Sequence, residues 1–194
     1  MKVGVLAIQG DFAAHASVLT GLGAEPIAVR KPADFAGLDA LVLPGGESTA
    51  MLHGIERDGL EAPLRTFLAA ERPVLGTCAG VILLARTVTH PPQRSLAVLD
   101  VDVERNAYGT QLDSFRTIVD EGAVFPDLPA VFIRAPRIVR VGSAVEVLAA
   151  VRGVPVLVRQ GNRWGATFHP ELTDDDRVIR AWLAAAAQPR SSSS

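Results

Sequence analysis

The sequence predicts an α/β fold of three layers, with a mostly parallel central sheet, flanking helices and an antiparallel extension. Three observations carry this prediction. Apolar runs at residues 3–8, 26–29, 38–43 and from 73 onward alternate with helical patterns, the order of a parallel sheet with right-handed crossovers. The 48% hydrophobic content of the 194 residues suits strands covered on both faces. Nearer the C-terminus, residues 145–151, 155–159 and 163–168 form three closely spaced β segments, which suit an antiparallel extension.

Taken in order, residues 3–8 are a buried strand that turns at Gln9-Gly10-Asp11 into a helix over 12–22, closed by Gly21 and Gly23. Strands at 26–29 and 38–43 follow, the latter ending at Pro44-Gly45-Gly46-Glu47-Ser48-Thr49. Helices are predicted over 48–55 and 60–70, before Pro73 opens a strand that reaches Gly76-Thr77-Cys78-Ala79-Gly80 and leaves as an apolar helix to Ala85. Residues 89–93 read as a loop, 96–103 as a strand, 105–109 as a polar break, and 113–119 and 130–133 as further strands. A last helix is predicted over 174–187, its acidic start at Asp174-Asp175-Asp176 suiting the helix dipole. With no internal repeat or linker, residues 1–187 are expected to form a single domain and 188–194 a disordered tail.

Composition excludes several classes of function. The net charge of −2 gives no electrostatic reason for a nucleic-acid or membrane partner. One cysteine rules out an intrachain disulfide framework and fits a reducing compartment. Clustered Cys/His zinc spacing is absent, and the first apolar run is too short for a signal peptide. No apolar run reaches membrane-spanning length, so the expected location is cytoplasmic.

Gly-x-Cys-x-Gly between a strand and a helix has the form of a nucleophile elbow, whose flanking glycines remove side chains that would clash. Thiolate is the reactive form of cysteine, and a helix N-terminus favours it. The N–H of Ala79 would face a developing oxyanion. A lone cysteine is also commonly a buried core residue. Pro44-Gly45-Gly46 exposes backbone at a strand's C-terminal end, where N–H groups can hold an anion, although a plain turn explains the same residues. Among the four histidines, only His169 follows a strand and has a carboxylate, Glu171, two positions on. Pro170 between them restricts the backbone, so Glu171 could orient His169 and His169 activate Cys78. By spacing alone, His-Pro-Glu could equally be a surface turn. His15 is expected to be a helix or loop histidine that packs or hydrogen-bonds locally, and His53 and His90 to face solvent.

Taken together, Gly76-Thr77-Cys78-Ala79-Gly80, Pro44-Gly45-Gly46-Glu47-Ser48-Thr49 and Phe168-His169-Pro170-Glu171 resemble the class I (triad) glutamine amidotransferases, whose fold is flavodoxin-like. More narrowly, Leu6-Ala7-Ile8-Gln9-Gly10-Asp11-Phe12, Val103-Glu104-Arg105-Asn106 and Phe132-Ile133-Arg134-Ala135-Pro136 resemble the family of glutaminase subunits of pyridoxal 5'-phosphate synthase. The resemblance implies hydrolysis of L-glutamine to L-glutamate and ammonia, with the ammonia passed to a separate synthase (lyase) subunit in a large hetero-oligomer. It implies a Cys78, His169 and Glu171 triad, an oxyanion site from Gly45, Gly46 and Ala79, and a glutamine pocket lined by Gly46, Glu47, Ser48, Arg105, Ile133 and Arg134. The two arginines would pair with a carboxylate, either the substrate's or a neighbouring acidic side chain's. Ile133 would supply an apolar wall or backbone contacts. No cofactor or metal is needed, since pyridoxal phosphate would be the product of the whole complex.

Three other readings use the same residues. An amidotransferase of histidine or purine biosynthesis would carry the same triad. A noncatalytic module could keep the fold, and a cysteine peptidase could be built on a related scaffold, although the Pro-Gly-Gly-Glu-Ser loop speaks against the last.

Overall fold

In the computed structural model, residues 1–9, 12–105, 114–119 and 124–188 are described. The expectations at Gly10, Asp11, residues 106–109, Asp113 and the tail beyond Gln188 lie outside them.

β1 (Lys2–Leu6) leads through α1 (Phe12–Gly21) to β2 (Glu25–Val29), and β3 (Ala40–Leu43) follows. Gly23, at φ 78°, lies just beyond the end of α1, the left-handed conformation that glycine adopts without steric cost. α2 (Ser48–Arg57) and α3 (Glu61–Ala69) precede β4 (Val74–Thr77), which turns at Cys78 into the short helix α4 (Ala79–Leu84). Then come β5 (Ala85–Thr89), β6 (Leu99–Glu104), β7 (Ser114–Val119), β8 (Leu128–Ile133) and β9 (Arg137–Val141). β10 (Glu146–Val151), β11 (Val154–Gln160) and β12 (Arg163–Ala166) lead to a 3-10 turn at Pro170–Leu172 and to α5 (Arg177–Ala186).

Seven strands form the central sheet in the order β10-β11-β12-β4-β3-β1-β2. The pairs from β12 through β4, β3 and β1 to β2 are parallel, and β10-β11 and β11-β12 are antiparallel. This is the predicted mostly parallel sheet with its antiparallel extension. β5, β6 and β9 form a separate three-stranded sheet, and β7 and β8 a two-stranded one.

Each face of the central sheet carries a core. In β3, Leu41 and Leu43 pack with Met51, Ile55, Leu64 and Leu84 on the side of α2, α3 and α4. Ala40 and Val42 pack with Leu19, Phe168, Val178 and Trp182 on the side of α1 and α5. Alternate residues pointing to opposite faces, both covered, explain why this strand reads as an unbroken apolar run. Among the described residues, no helix is long and apolar enough to cross a membrane.

Beyond shifts of a few residues at strand ends, the structure departs from expectation at β5, β9 and the start of α5. β5 spans residues where the sequence predicts only a helix end at Ala85 and a loop start at Thr89, yet it pairs with β6 from Ala85 onward. β9 was not anticipated, and it pairs antiparallel with β6. α5 begins at Arg177 rather than Asp174, because Asp175 turns back and accepts the Arg177 N–H through Oδ1 at 3.0 Å. That carboxylate also holds the Arg177 guanidinium.

Candidate active site

The register of two neighbouring strands creates the site. β4 and β12 run parallel with Thr77 opposite Ala166, and the Cys78 N–H donates to the Ala166 carbonyl at 2.8 Å. Cys78 and the segment leading to His169 therefore emerge side by side at the carboxyl ends of the sheet, where open α/β folds bind ligands. The His169 N–H donates to the Val131 carbonyl of β8 at 2.8 Å, which fixes this segment against a second sheet.

Cys78 takes the sharp turn expected of an elbow, at φ 48° and ψ −106°. Such a backbone costs on the order of 1–3 kcal/mol in a non-glycine residue, and surrounding packing must hold it. The glycines on either side make that packing feasible. A Cβ at Gly76 would stand 2.7 Å from the Gly80 carbonyl carbon, and one at Gly80 would overlap the Leu43 carbonyl oxygen. The helix can therefore start directly against β3 and β4. The cysteine is only 6% exposed, and its thiol donates to the Ile133 carbonyl at 3.6 Å.

His169 precedes the 3-10 turn, with Pro170 at its first position. Its Nδ1 lies 2.7 Å from Oε1 of Glu171, and both side chains are buried. An ionised carboxylate can only accept, so Nδ1 carries the hydrogen and Nε2 is left for the sulfur. Burial opposes a charge on His169, but the hydrogen bonds and charges of Cys78 and Glu171 outweigh it and raise the imidazole from 6.5 to about 10. Burial opposes the Glu171 charge too, yet His15 and His169 bring that carboxyl down from 4.5 to about 2. A cysteine beside an imidazole that a carboxylate holds is suited to lose its proton to that ring, attack a carbonyl, and have the ring protonate a leaving amine.

Cys78 and His169 open onto a cavity of about 230 Å³ also lined by Gly46, Glu47, Ser48, Ala79, Ile82, Arg105, Ile133, Arg134 and Pro136. All six residues expected to line a glutamine pocket are therefore together. Gly46 holds φ 142°, and Gly45 lies directly beneath the His169 ring. Glu47 caps α2, its carboxylate accepting from the Thr49 and Ala50 N–H groups at 3.0 and 2.7 Å. Burial opposes its charge, but those bonds and the Arg105 guanidinium hold it below the usual carboxylate value. The Arg105 guanidinium donates to Glu47 at 3.1 Å and to Thr49 at 3.2 Å, so it pairs with a neighbouring acidic residue. Ile133 meets Cys78 through its carbonyl. A larger groove of about 990 Å³ lies beside β7, β8 and the segment before α5. It contains none of these residues and no cysteine or histidine. Among the described residues, no group of three or more His, Cys, Asp or Glu side chains could hold a metal ion.

Two residues escaped sequence reasoning. His15 is packed within the fold, but its hydrogen bond is not local. It is fully buried, with Nε2 3.2 Å from the Thr77 hydroxyl and 3.4 Å from Glu171 Oε1. Gln93, read only as part of a loop, accepts from the hydroxyls of Ser48 and Thr49 at 2.9 and 3.3 Å. No local pattern signals either contact; in His15 the only hint is a histidine in a helix with no other titratable residue. His53 and His90 are exposed, as expected.

Known proteins resemble this chain over nearly its whole length. The pyridoxal 5'-phosphate synthase subunit PdxT of Thermotoga neapolitana is 48% identical over 184 residues, which are 94% of this chain and 98% of that one. The PdxT subunit of Deinococcus radiodurans is 49% identical over 193 residues, 97% of this chain and 98% of its own. A crystal structure of a glutamine amidotransferase superimposes with a TM-score of 0.88 at 45% identity, over 95% of this chain and 98% of the other. Residues 5–187, from β1 through the final helix, match the model of the SNO glutamine amidotransferase family, and with the strand-end geometry described above, the chain belongs to that family.

Proposed function

We propose that this chain is the glutaminase subunit of a pyridoxal 5'-phosphate synthase, with residues 1–187 acting as one glutamine amidotransferase domain. The observation that carries the proposal is the contact sequence Cys78, His169, Glu171 at the edge of a cavity walled by the Gly46-Glu47-Ser48 loop, Arg105 and Arg134. The near-full-length likeness to PdxT subunits supports the narrower assignment over histidine or purine amidotransferases.

In this reading, the Cys78 thiolate attacks the side-chain carbonyl carbon of L-glutamine and forms a C–S bond. The resulting oxyanion is held by backbone N–H groups of Ala79 and the Gly45-Gly46 loop. His169 gives its Nε2 proton to the amide nitrogen, the C–N bond breaks, and ammonia leaves. His169 then takes a proton from water, which attacks the thioester; L-glutamate departs and the thiolate and imidazolium are restored. Glu171 keeps the imidazole aimed throughout. The ammonia passes to a synthase subunit in a large hetero-oligomer, in the cytoplasm.

The test is release of L-glutamate from L-glutamine by the pure chain, with and without a synthase subunit, alongside formation of pyridoxal phosphate. Slow hydrolysis alone, faster hydrolysis with the partner and pyridoxal phosphate made from glutamine nitrogen are expected. Hydrolysis that only another pathway's acceptor stimulates would overturn the narrower assignment.

A further inference from the structure

We infer that His15 is a positioning residue of this site, clamping the carboxylate that orients His169 and tying it to the strand end that carries Cys78. The inference rests on the glutaminase reading and deepens it.

α1 places His15 where no exposed surface reaches it. Its Nε2 sits between Oε1 of Glu171, at 3.4 Å, and the Thr77 hydroxyl, at 3.2 Å. Oε1 is the same oxygen that lies 2.7 Å from His169 Nδ1. The other carboxylate oxygen, Oε2, is buried without a hydrogen-bond partner among the described residues. The position of Glu171 therefore depends on two imidazole N–H groups that converge on one oxygen. An ionised carboxylate is an acceptor only, so the hydrogen of His15 belongs on Nε2, where it is shared between Glu171 Oε1 and the Thr77 hydroxyl oxygen.

The contacts close a ring. Cys78 reaches His169, His169 reaches Glu171, Glu171 reaches His15, and His15 reaches Thr77, which is bonded through the peptide to Cys78. Base and nucleophile are thus referenced to one another through α1 as well as through the sheet. Packing alone does not explain an imidazole here. His15 Nδ1 is buried with no partner among the described residues, a desolvation penalty that an apolar ring of similar size would avoid. The imidazole is useful at this place because Nε2–H holds the carboxylate.

The experiment compares wild type, His15→Phe and His15→Gln in the complex with the synthase subunit, with rates expressed per reactive Cys78 titrated by alkylation. His15→Phe should lower kcat about 10- to 100-fold, the scale of a lost hydrogen bond to a charged group, with KM changed less than about 2-fold. His15→Gln, which can still present an N–H near the same place, should recover most of that loss. Thr77→Val, which breaks the other end of the clamp, should lower kcat in the same direction and gives the answer if His15→Phe does not fold. Wild-type kcat per titrated Cys78 in His15→Phe, or in Thr77→Val where that variant alone folds, would overturn the inference and leave the glutaminase reading standing. So would a His15→Gln enzyme as slow as His15→Phe. A wild-type complex that does not hydrolyse glutamine would overturn both.

Discussion

Gly45 lies so close beneath His169 that a Cβ there would overlap Cε1 of the imidazole, with Nδ1 and Nε2 at 3.2 and 3.3 Å. The loop proposed to hold the oxyanion and the proposed base therefore face each other across a gap too narrow for a side chain on Gly45. Gly45→Ala should displace the ring and lower kcat by about 100-fold, as misplacement of a reacting group by about 1 Å can do. Circular dichroism and the unfolding midpoint check that the fold remains. A Gly45→Ala enzyme within about 2-fold of wild type would show that the ring has room to yield.

Gly80 sits in a helix, where alanine is ordinarily the better residue by about 1 kcal/mol. Here the added Cβ would overlap the Leu43 carbonyl oxygen, which is backbone of a central strand and cannot swing aside. Overpacking of about 1–3 kcal/mol outweighs the propensity gain. Gly80→Ala should lower the urea midpoint, and a raised midpoint would contradict the close contact.

Gln93 gathers the hydroxyls of Ser48 and Thr49 on one oxygen, and Ser48 is buried at the cavity wall. Gln93→Leu leaves those hydroxyls without their acceptor, at a cost of about 1–3 kcal/mol for a buried polar group. The expected kinetic result is a KM for glutamine raised about 10-fold with a smaller change in kcat. Steady-state kinetics over a range of glutamine concentrations separates the two constants.

The charge state of the His169–Glu171 pair sets a pH dependence. Glu171 is lowered from 4.5 to about 2 on folding, so its contribution is present above 4.5 and is lost as pH falls through about 2. His169 is raised from 6.5 to about 10, so its contribution is complete below 6.5 and is lost as pH rises through about 10. The difference in unfolding midpoint between wild type and Glu171→Gln should be largest between pH 4.5 and 6.5 and shrink on both sides. A difference independent of pH would contradict the assigned ion pair. In Cys78→Ala, the imidazole of His169 should titrate below its wild-type value by NMR, because one of the two groups that raise it has gone.

Cys78, His169 and Glu171 stood out because each belongs to a short local stretch: two glycines about a cysteine, and one proline between a histidine and a glutamate. These stretches alone left a core cysteine and a surface turn open, and only the family resemblance joined them. The central strands were legible for a similar reason, since burial on both faces writes a continuous apolar run, as in β3. β5 and β9 were not. Their exposed Arg86, Thr87, Arg137 and Val139 break that pattern, and both strands are defined by pairing with β6. His15 and Gln93 lay out of reach for a different reason. Their hydrogen-bond partners are 62 and 45 residues away, and only the folded register of β4, α1 and α2 brings those groups together.

The central claim is that the Cys78 sulfur forms a bond to the side-chain carbonyl of glutamine. Acid-quenching the complex during turnover and mapping the peptides by mass spectrometry tests it most directly. A glutamyl group on the peptide that carries Cys78, absent from Cys78→Ala together with glutamine hydrolysis, is the predicted result. Glutamine hydrolysis retained by Cys78→Ala would contradict it.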